Sequence, residues 1–109
     1  MEKVTRHQIA RGSDIKIEVI LSNLPEGETM ETIDFTTVFT CGNTSKTFSK
    51  DQLYKLQDGD SFRYIAAFST ALFPVGDMMM KVSASVPDEA FPDGKRDDII
   101  FADTKVTLI

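Results

Sequence analysis

Polar and apolar residues alternate with a period of two along most of this chain, which limits its folds more than any other feature. From residue 15, Ile15, Ile17, Val19 and Leu21 fall on one side, and Lys16, Glu18, Ile20 and Ser22 on the other. A strand with one buried face has this periodicity, whereas a helix repeats every 3.6 residues. The pattern returns with Ile33, Phe35, Thr37 and Phe39 inward against Asp34, Thr36, Val38 and Thr40. It returns again with Phe62, Tyr64, Ala66 and Phe68, and with Met78, Met80, Val82, Ala84 and Val86. A last strand is expected from about Ile99 to Ile109, and a short return strand at Lys46 to Phe48.

Turn chemistry separates these runs. Asn23-Leu24-Pro25-Glu26-Gly27-Glu28, Cys41-Gly42-Asn43-Thr44-Ser45, Gln57-Asp58-Gly59-Asp60 and Phe73-Pro74-Val75-Gly76-Asp77 each pair Gly with Pro, Asn or Asp. Residues 87–98 carry two prolines and one glycine and form the longest loop signal. One helical hint remains. Ser49 and Gln52 have capping-box spacing, which predicts one or two turns over 50–56. Six to seven short alternating strands with almost no helix predict an all-β protein, a single antiparallel β-sandwich of immunoglobulin-like architecture. At 109 residues the chain is one domain, with residues 1–10 as a docking arm. The single cysteine rules out an internal disulfide and any multi-cysteine zinc site.

Charge bounds the partners. Twelve Lys and Arg against seventeen Asp and Glu give a net charge of -5. Nucleic acid calls for a basic face, and no basic run is present. No apolar run reaches the ~20 residues of a membrane helix, and the first residues lack the apolar core of a signal peptide. Residues 1–16 set Lys3, Arg6, Arg11 and Lys16 against Glu2 and Asp14, a local +2. Residues 88–103 set Asp88, Glu89, Asp93, Asp97, Asp98 and Asp103 against Lys95 and Arg96, a local -4. These segments are either two solvated loops or the two halves of a contact between copies.

Catalytic groups are sparse. His7 is the only imidazole and lies in a polar stretch with no positioned partner. Cys41, at a strand end, reads as a small buried hydrophobe. Ser13 and Lys16 spell an S-x-x-K motif, but in a strand their odd offset points them apart. With Gly94 at the invariant glycine of a calcium loop, the twelfth position falls on Ile100 rather than Glu, so the EF-hand pattern fails; Asp88, Glu89, Asp93, Asp97 and Asp98 read as a solvated loop, with an irregular calcium loop as the alternative. No nucleotide motif is present, and no cofactor or metal is expected. The outer faces are expected to carry Ile20, Val38, Ile65 and Met79, which mark an interface if the strand order brings them together.

Two segments carry a family resemblance. One is Ile9-Ala10-Arg11-Gly12-Ser13-Asp14 followed by Ile15-Lys16-Ile17-Glu18-Val19; the other is Val86-Pro87-Asp88-Glu89-Ala90-Phe91-Pro92-Asp93-Gly94-Lys95-Arg96, after a strand starting at Gly76-Asp77-Met78. With them the chain resembles small virion structural proteins of tailed phages and prophages of Bacteroidales. It is also similar to the immunoglobulin-like N-terminal domains of phage baseplate and fibre proteins. The resemblance implies a non-enzymatic assembly protein in the virion, or in the host cytoplasm before assembly. Its partners would be other virion proteins or further copies of itself, in a homo-oligomer. With the sequence ending at Ile109 after its last strand, the resemblance implies an adaptor or decoration protein, or a domain cut from something longer. Taken with the charge asymmetry, the interface candidates are Arg6, Arg11, Gly12, Asp88, Phe91, Asp93, Gly94 and Arg96. The alternative is an adhesin-like module that binds carbohydrate or protein, with Tyr54 and Phe91 as its exposed aromatics.

Overall fold

The structure, a computed structural model, describes residues 6–22 and 24–109. Among the described residues eight strands form, β1 (His7–Ile9), β2 (Asp14–Val19), β3 (Asp34–Cys41), β4 (Thr44–Ser49), β5 (Tyr54–Asp58), β6 (Ser61–Ser69), β7 (Gly76–Pro87) and β8 (Lys95–Leu108). They make two sheets, one ordered β1-β8-β7-β3-β4 and the other β2-β6-β5. The chain crosses between sheets after β1, β2, β4 and β6, the connectivity of immunoglobulin-like sandwiches. The expected sandwich is borne out, with one strand more than the six to seven anticipated. Every pairing is antiparallel except β1 with β8, where His7, Gln8 and Ile9 run parallel to Val106, Thr107 and Leu108.

The helical expectation shrinks. Only Lys50–Gln52 form a single 3-10 turn, and residues 54–58 are β5 instead. The Ser49 backbone N–H donates to Gln52 Oε1 at 2.9 Å, while the Ser49 hydroxyl turns to Asp51. Half of the capping box therefore exists, which is enough to start a turn. Leu53 is extended and buried, so the turn ends there. Pairing with β6 then draws Tyr54–Asp58 into a strand. Of the expected docking arm, residues 1–5 lie outside the described residues, and residues 7–9 are β1, an integral strand of the larger sheet. Asn23, placed in a turn with Pro25 and Gly27, also lies outside them.

The alternating residues meet as the pattern demands. Ile15, Val19, Phe35, Phe39, Tyr64, Ala66, Phe68, Val82, Ala84 and Val86 are all buried between the sheets. Aromatic rings stitch the layers: Phe35 meets Tyr64 edge-on at 5.5 Å, and Phe39 meets Phe68 at 4.9 Å. Phe48 and Phe73 extend this cluster, at 5.4 Å and 5.9 Å from Phe68. Such pairs add about 1 kcal/mol each beyond the area they bury. Thr37 sits fully buried on β3, and its hydroxyl has no hydrogen-bond partner.

The β3–β4 hairpin closes through Gly42-Asn43, with Cys41 paired to Thr44. Gly42 has φ 60, the left-handed region that an L side chain enters only at a cost. A Cβ there would also stand 3.1 Å from the Pro74 ring. Gly42→Ala is therefore expected to lower stability by about 1–2 kcal/mol. An unchanged urea midpoint contradicts this account of the turn. Thr37→Val keeps the shape and removes the unpaired hydroxyl. It is expected to raise stability by about 1 kcal/mol, read as a rise of roughly 4 °C in Tm. A fall in Tm would show that the hydroxyl has a partner.

Candidate interaction surface

The eight interface candidates separate into two groups. β1 lies against the end of β8, so Arg6, Arg11 and Gly12 stand at one end of the molecule. Asp88, Phe91, Asp93, Gly94 and Arg96 stand at the β7–β8 hairpin loop, the other end of a body 45 Å long. Within one copy the basic segment reaches the acidic one only at its far end, where Arg6 pairs with Asp103, and does not reach the hairpin loop.

The hairpin loop is held by its own hydrogen bonds. The Asp88 N–H donates to the Gly94 carbonyl at 2.8 Å, and Gly94, at φ 77, donates to the Phe91 carbonyl at 2.9 Å. Arg96 donates to Asp88 at 2.9 Å and to Asp98 at 3.1 Å. The Asp88 carboxylate also accepts from the Ala90 N–H, and that bond, with Arg96, holds its pKa below the ordinary range. Asp93 accepts from the Lys95 N–H at 3.3 Å. These carboxylates thus serve the loop itself. Among the described residues no three His, Cys, Asp or Glu side chains converge on one point. Phe91 projects from the loop, 46% exposed.

At the other end Arg6 is a clamp. Its guanidinium donates to Asp103, to Thr107 Oγ1 at 2.8 Å and to the Val106 carbonyl at 3.2 Å, and lies 3.3 Å from Asp77. β8 is shaped to receive it. Thr104 and Lys105 have no partner on β7, a bulge in which Lys105 takes φ 61. The Lys105 N–H donates to Asp103 at 2.8 Å and Thr104 Oγ1 donates to the Met78 carbonyl at 2.7 Å, which fixes the carboxylate under Arg6. Gly12, with φ 102, donates to Thr70 Oγ1 at 2.9 Å and turns the chain into β2. Arg11 is exposed and forms no ion pair among the described residues.

His7 is exposed on β1. Cys41 is fully buried, and its thiol donates to the Pro74 carbonyl at 3.2 Å. Burial, then the nearby Asp77 charge, pushes its pKa up, which disfavours the reactive thiolate. Tyr54 lies on the outer side of the small sheet and Phe91 on the hairpin loop, so the two aromatics form no common platform.

The outer sheet faces differ in kind. On the small sheet, Glu18 and Arg63 form an ion pair at 2.6 Å, with Ile65 and Tyr54 beside them. On the large sheet the register sets Thr36, Ser83 and Ile99 in one row, Val38, Lys81 and Phe101 in the next, and Thr40, Met79 and Asp103 in a third. Ile99 is 58% exposed, Phe101 75% and Met79 43%. Strand order has therefore joined Val38 to Met79 but left Ile20 and Ile65 with the other sheet. Sequence reasoning missed Ile99 and Phe101. Ile99, Ile100 and Phe101 are consecutive and all apolar, so alternation cannot assign their faces; pairing with Ser83 and Lys81 does. Leu72 and Val75 in the β6–β7 connection and Ile109 after β8 are also exposed, at the β1 end.

Comparison with family models, curated proteins and solved structures gives no match to this chain. No helix among the described residues is long and apolar enough to cross a membrane.

The clamp on β1 depends on ionised Asp103. Hydrogen bonds from Arg6 and then from the Lys105 N–H hold the Asp103 carboxyl below its ordinary pKa. A depressed carboxyl stabilises the fold above its unfolded pKa and loses that effect as pH falls through its folded value. Acidification into and below the ordinary Asp range should therefore lower the protection of residues 7–9, measured against the intrinsic exchange rate at each pH, before the rest of the sheet opens. Asp103→Asn should show low protection there already at neutral pH, and that protection should change little with pH. Equal protection in both proteins at neutral pH contradicts the clamp.

Proposed function

We propose that this chain is a non-enzymatic assembly protein, working through protein–protein contacts as a component of a phage particle. The observation that carries the assembly reading is the apolar patch of exposed Met79, Ile99 and Phe101 with half-buried Val38, spread over three neighbouring rows of one sheet face. Contiguous exposed apolar surface of this kind marks a contact surface. The internally braced hairpin loop adds a rigid projection, as in the loop implied by the resemblance to virion proteins. The phage context itself rests on that resemblance, through the segments 9–19 and 76–96.

The test is physical association with particles. Particles from a host carrying the gene are purified by density gradient and probed with an antibody against the chain. Co-migration that survives a salt wash is expected. Absence from particles, with the protein plentiful in the unassembled fraction, contradicts the proposal.

A further inference from the structure

We infer that the free edge of β2 pairs with the β2 edge of a second copy, antiparallel across a two-fold axis normal to the small sheet at Ile17, so that two three-stranded sheets join into one of six strands. The inference goes beyond the assembly reading and rests on other residues.

A sheet edge offers unpaired backbone groups, and proteins blunt such edges with short strands, bulges or charges turned inward. Among the described residues four strands stand at sheet edges, β1, β4, β2 and β5. β1 is only three residues long. On β4, Lys46 pairs with buried Phe39 and so takes the core-facing side. On β5, Lys55 pairs with buried Tyr64 and does the same. A strand added to either edge would close over that lysine. β2 has none of these devices. Its six residues pair with β6 without a register shift, with Ile15, Ile17 and Val19 toward the core and Asp14, Lys16 and Glu18 outward. Ile17 packs against the core yet stays half-buried, because among the described residues no strand covers this side.

The backbone groups of this edge are oriented for pairing. The Thr70 N–H donates to the Ser13 carbonyl at 3.0 Å, so the odd-numbered residues of β2 bond to β6. The N–H and C=O groups of Asp14, Lys16 and Glu18 therefore point away from β6, to the open edge.

Charge then selects the occupant and its register. Antiparallel pairing must set even-numbered residues against even to keep the apolar ones on a common face. With Lys16 opposite the partner's Glu18, the pairing centres on Ile17. Lys16 forms no ion pair among the described residues. Glu18, held by Arg63 at 2.6 Å, then lies between that guanidinium and the partner's Lys16. Lys16 and Glu18 exchange both backbone hydrogen bonds on each side of the axis, and Ile15 lies opposite Val19. The two Ile17 side chains meet at the axis as a non-hydrogen-bonded pair, where opposed side chains approach most closely. Asp14 closes the paired stretch, exposed to solvent. A slip of two residues one way sets Lys16 against Lys16 and Asp14 against Glu18, and the other way sets Glu18 against Glu18. Like charges directly opposite oppose pairing, so one register remains, and a second β2 supplies its charges. The two large sheets then lie on the same side, so the dimer turns both apolar patches toward one surface; that consequence alone rests on the assembly reading.

Six residues of edge make a small interface, so a Kd of about 10–100 µM is expected. Sedimentation velocity from about 1 to 500 µM spans that range. The chain is expected to pass from monomer to dimer and stop there. Lys16→Glu and Glu18→Lys should each weaken the dimer by about tenfold or more, since each sets like charges opposite one another. Mixed in equal amounts, the two variants should recover the dimer, because each supplies the charges the other lacks. Ile17→Cys, at the axis, should form a disulfide-linked dimer on oxidation, with buried Cys41 taking no part, and it keeps the test open should Glu18→Lys fail to fold. Phe101→Asp, on the outer face of the large sheet, should dimerise as the parent does. A chain monomeric throughout overturns the inference, as does a dimer indifferent to both charge variants or a mixture that stays monomeric. Mass growing beyond the dimer overturns it too. A monomeric chain found in particles removes the dimer and keeps the assembly reading. A dimer absent from particles does the reverse.

Discussion

The aromatic seam between β3 and β6 holds this molecule together. Phe35 against Tyr64 and Phe39 against Phe68 join the two sheets at successive levels, and Phe48 and Phe73 close around Phe68. Each residue reaches the seam because a strand sends every second side chain to the same face. The two central strands are thereby fixed in register, and the others follow by pairing outward from them. β7 and β4 add to β3, and β2 and β5 to β6. The hydrophobic effect supplies most of the driving force, and the ring geometry narrows the register to one.

Once the inner faces are spent on the seam, function is left to the outer faces, the edges and the ends. The small sheet turns a Glu18–Arg63 ion pair outward, which solvates that side. The large sheet turns out hydroxyls and a patch of apolar side chains. Its first strand is short and parallel, and the Arg6 clamp on the β8 bulge holds it there. The bulge costs strain at Lys105, and the return is a carboxylate placed where β1 needs it. One local irregularity thus completes the sheet that carries the apolar patch.

How much of this was legible in the sequence depends on how one-sided each strand is. β2, β3, β6 and β7 bury one face cleanly, so Ile15 to Val19, Phe35 to Phe39, Tyr64 to Phe68 and Val82 to Val86 announce strand and orientation together. β5 does not, because Tyr54-Lys55-Leu56-Gln57-Asp58 is a mostly exposed edge whose identity comes from β6. Three residues of β1 are too few for any period to show. The Ser49–Gln52 signal was real but local: it starts a turn, and the pull of β6 stops it at Leu53. The interface candidates were read from charge and motif, both of which are linear. Whether Arg11 and Asp93 share a surface depends on topology, and the fold sends them to opposite ends. The apolar face was half legible, in Val38 and Met79, because membership of a common sheet is a property of strand order.

The most direct test of the central claim, that the seam leaves the β2 edge as the place where copies of this protein meet, is an amide NMR dilution series at neutral pH. The account predicts concentration-dependent shifts centred on Lys16, Ile17 and Glu18, reaching into β6 beside them, with β3, β4, β7 and β8 silent. Shifts centred on Val38, Lys81, Ile99 and Phe101, or on the hairpin loop alone, would contradict it.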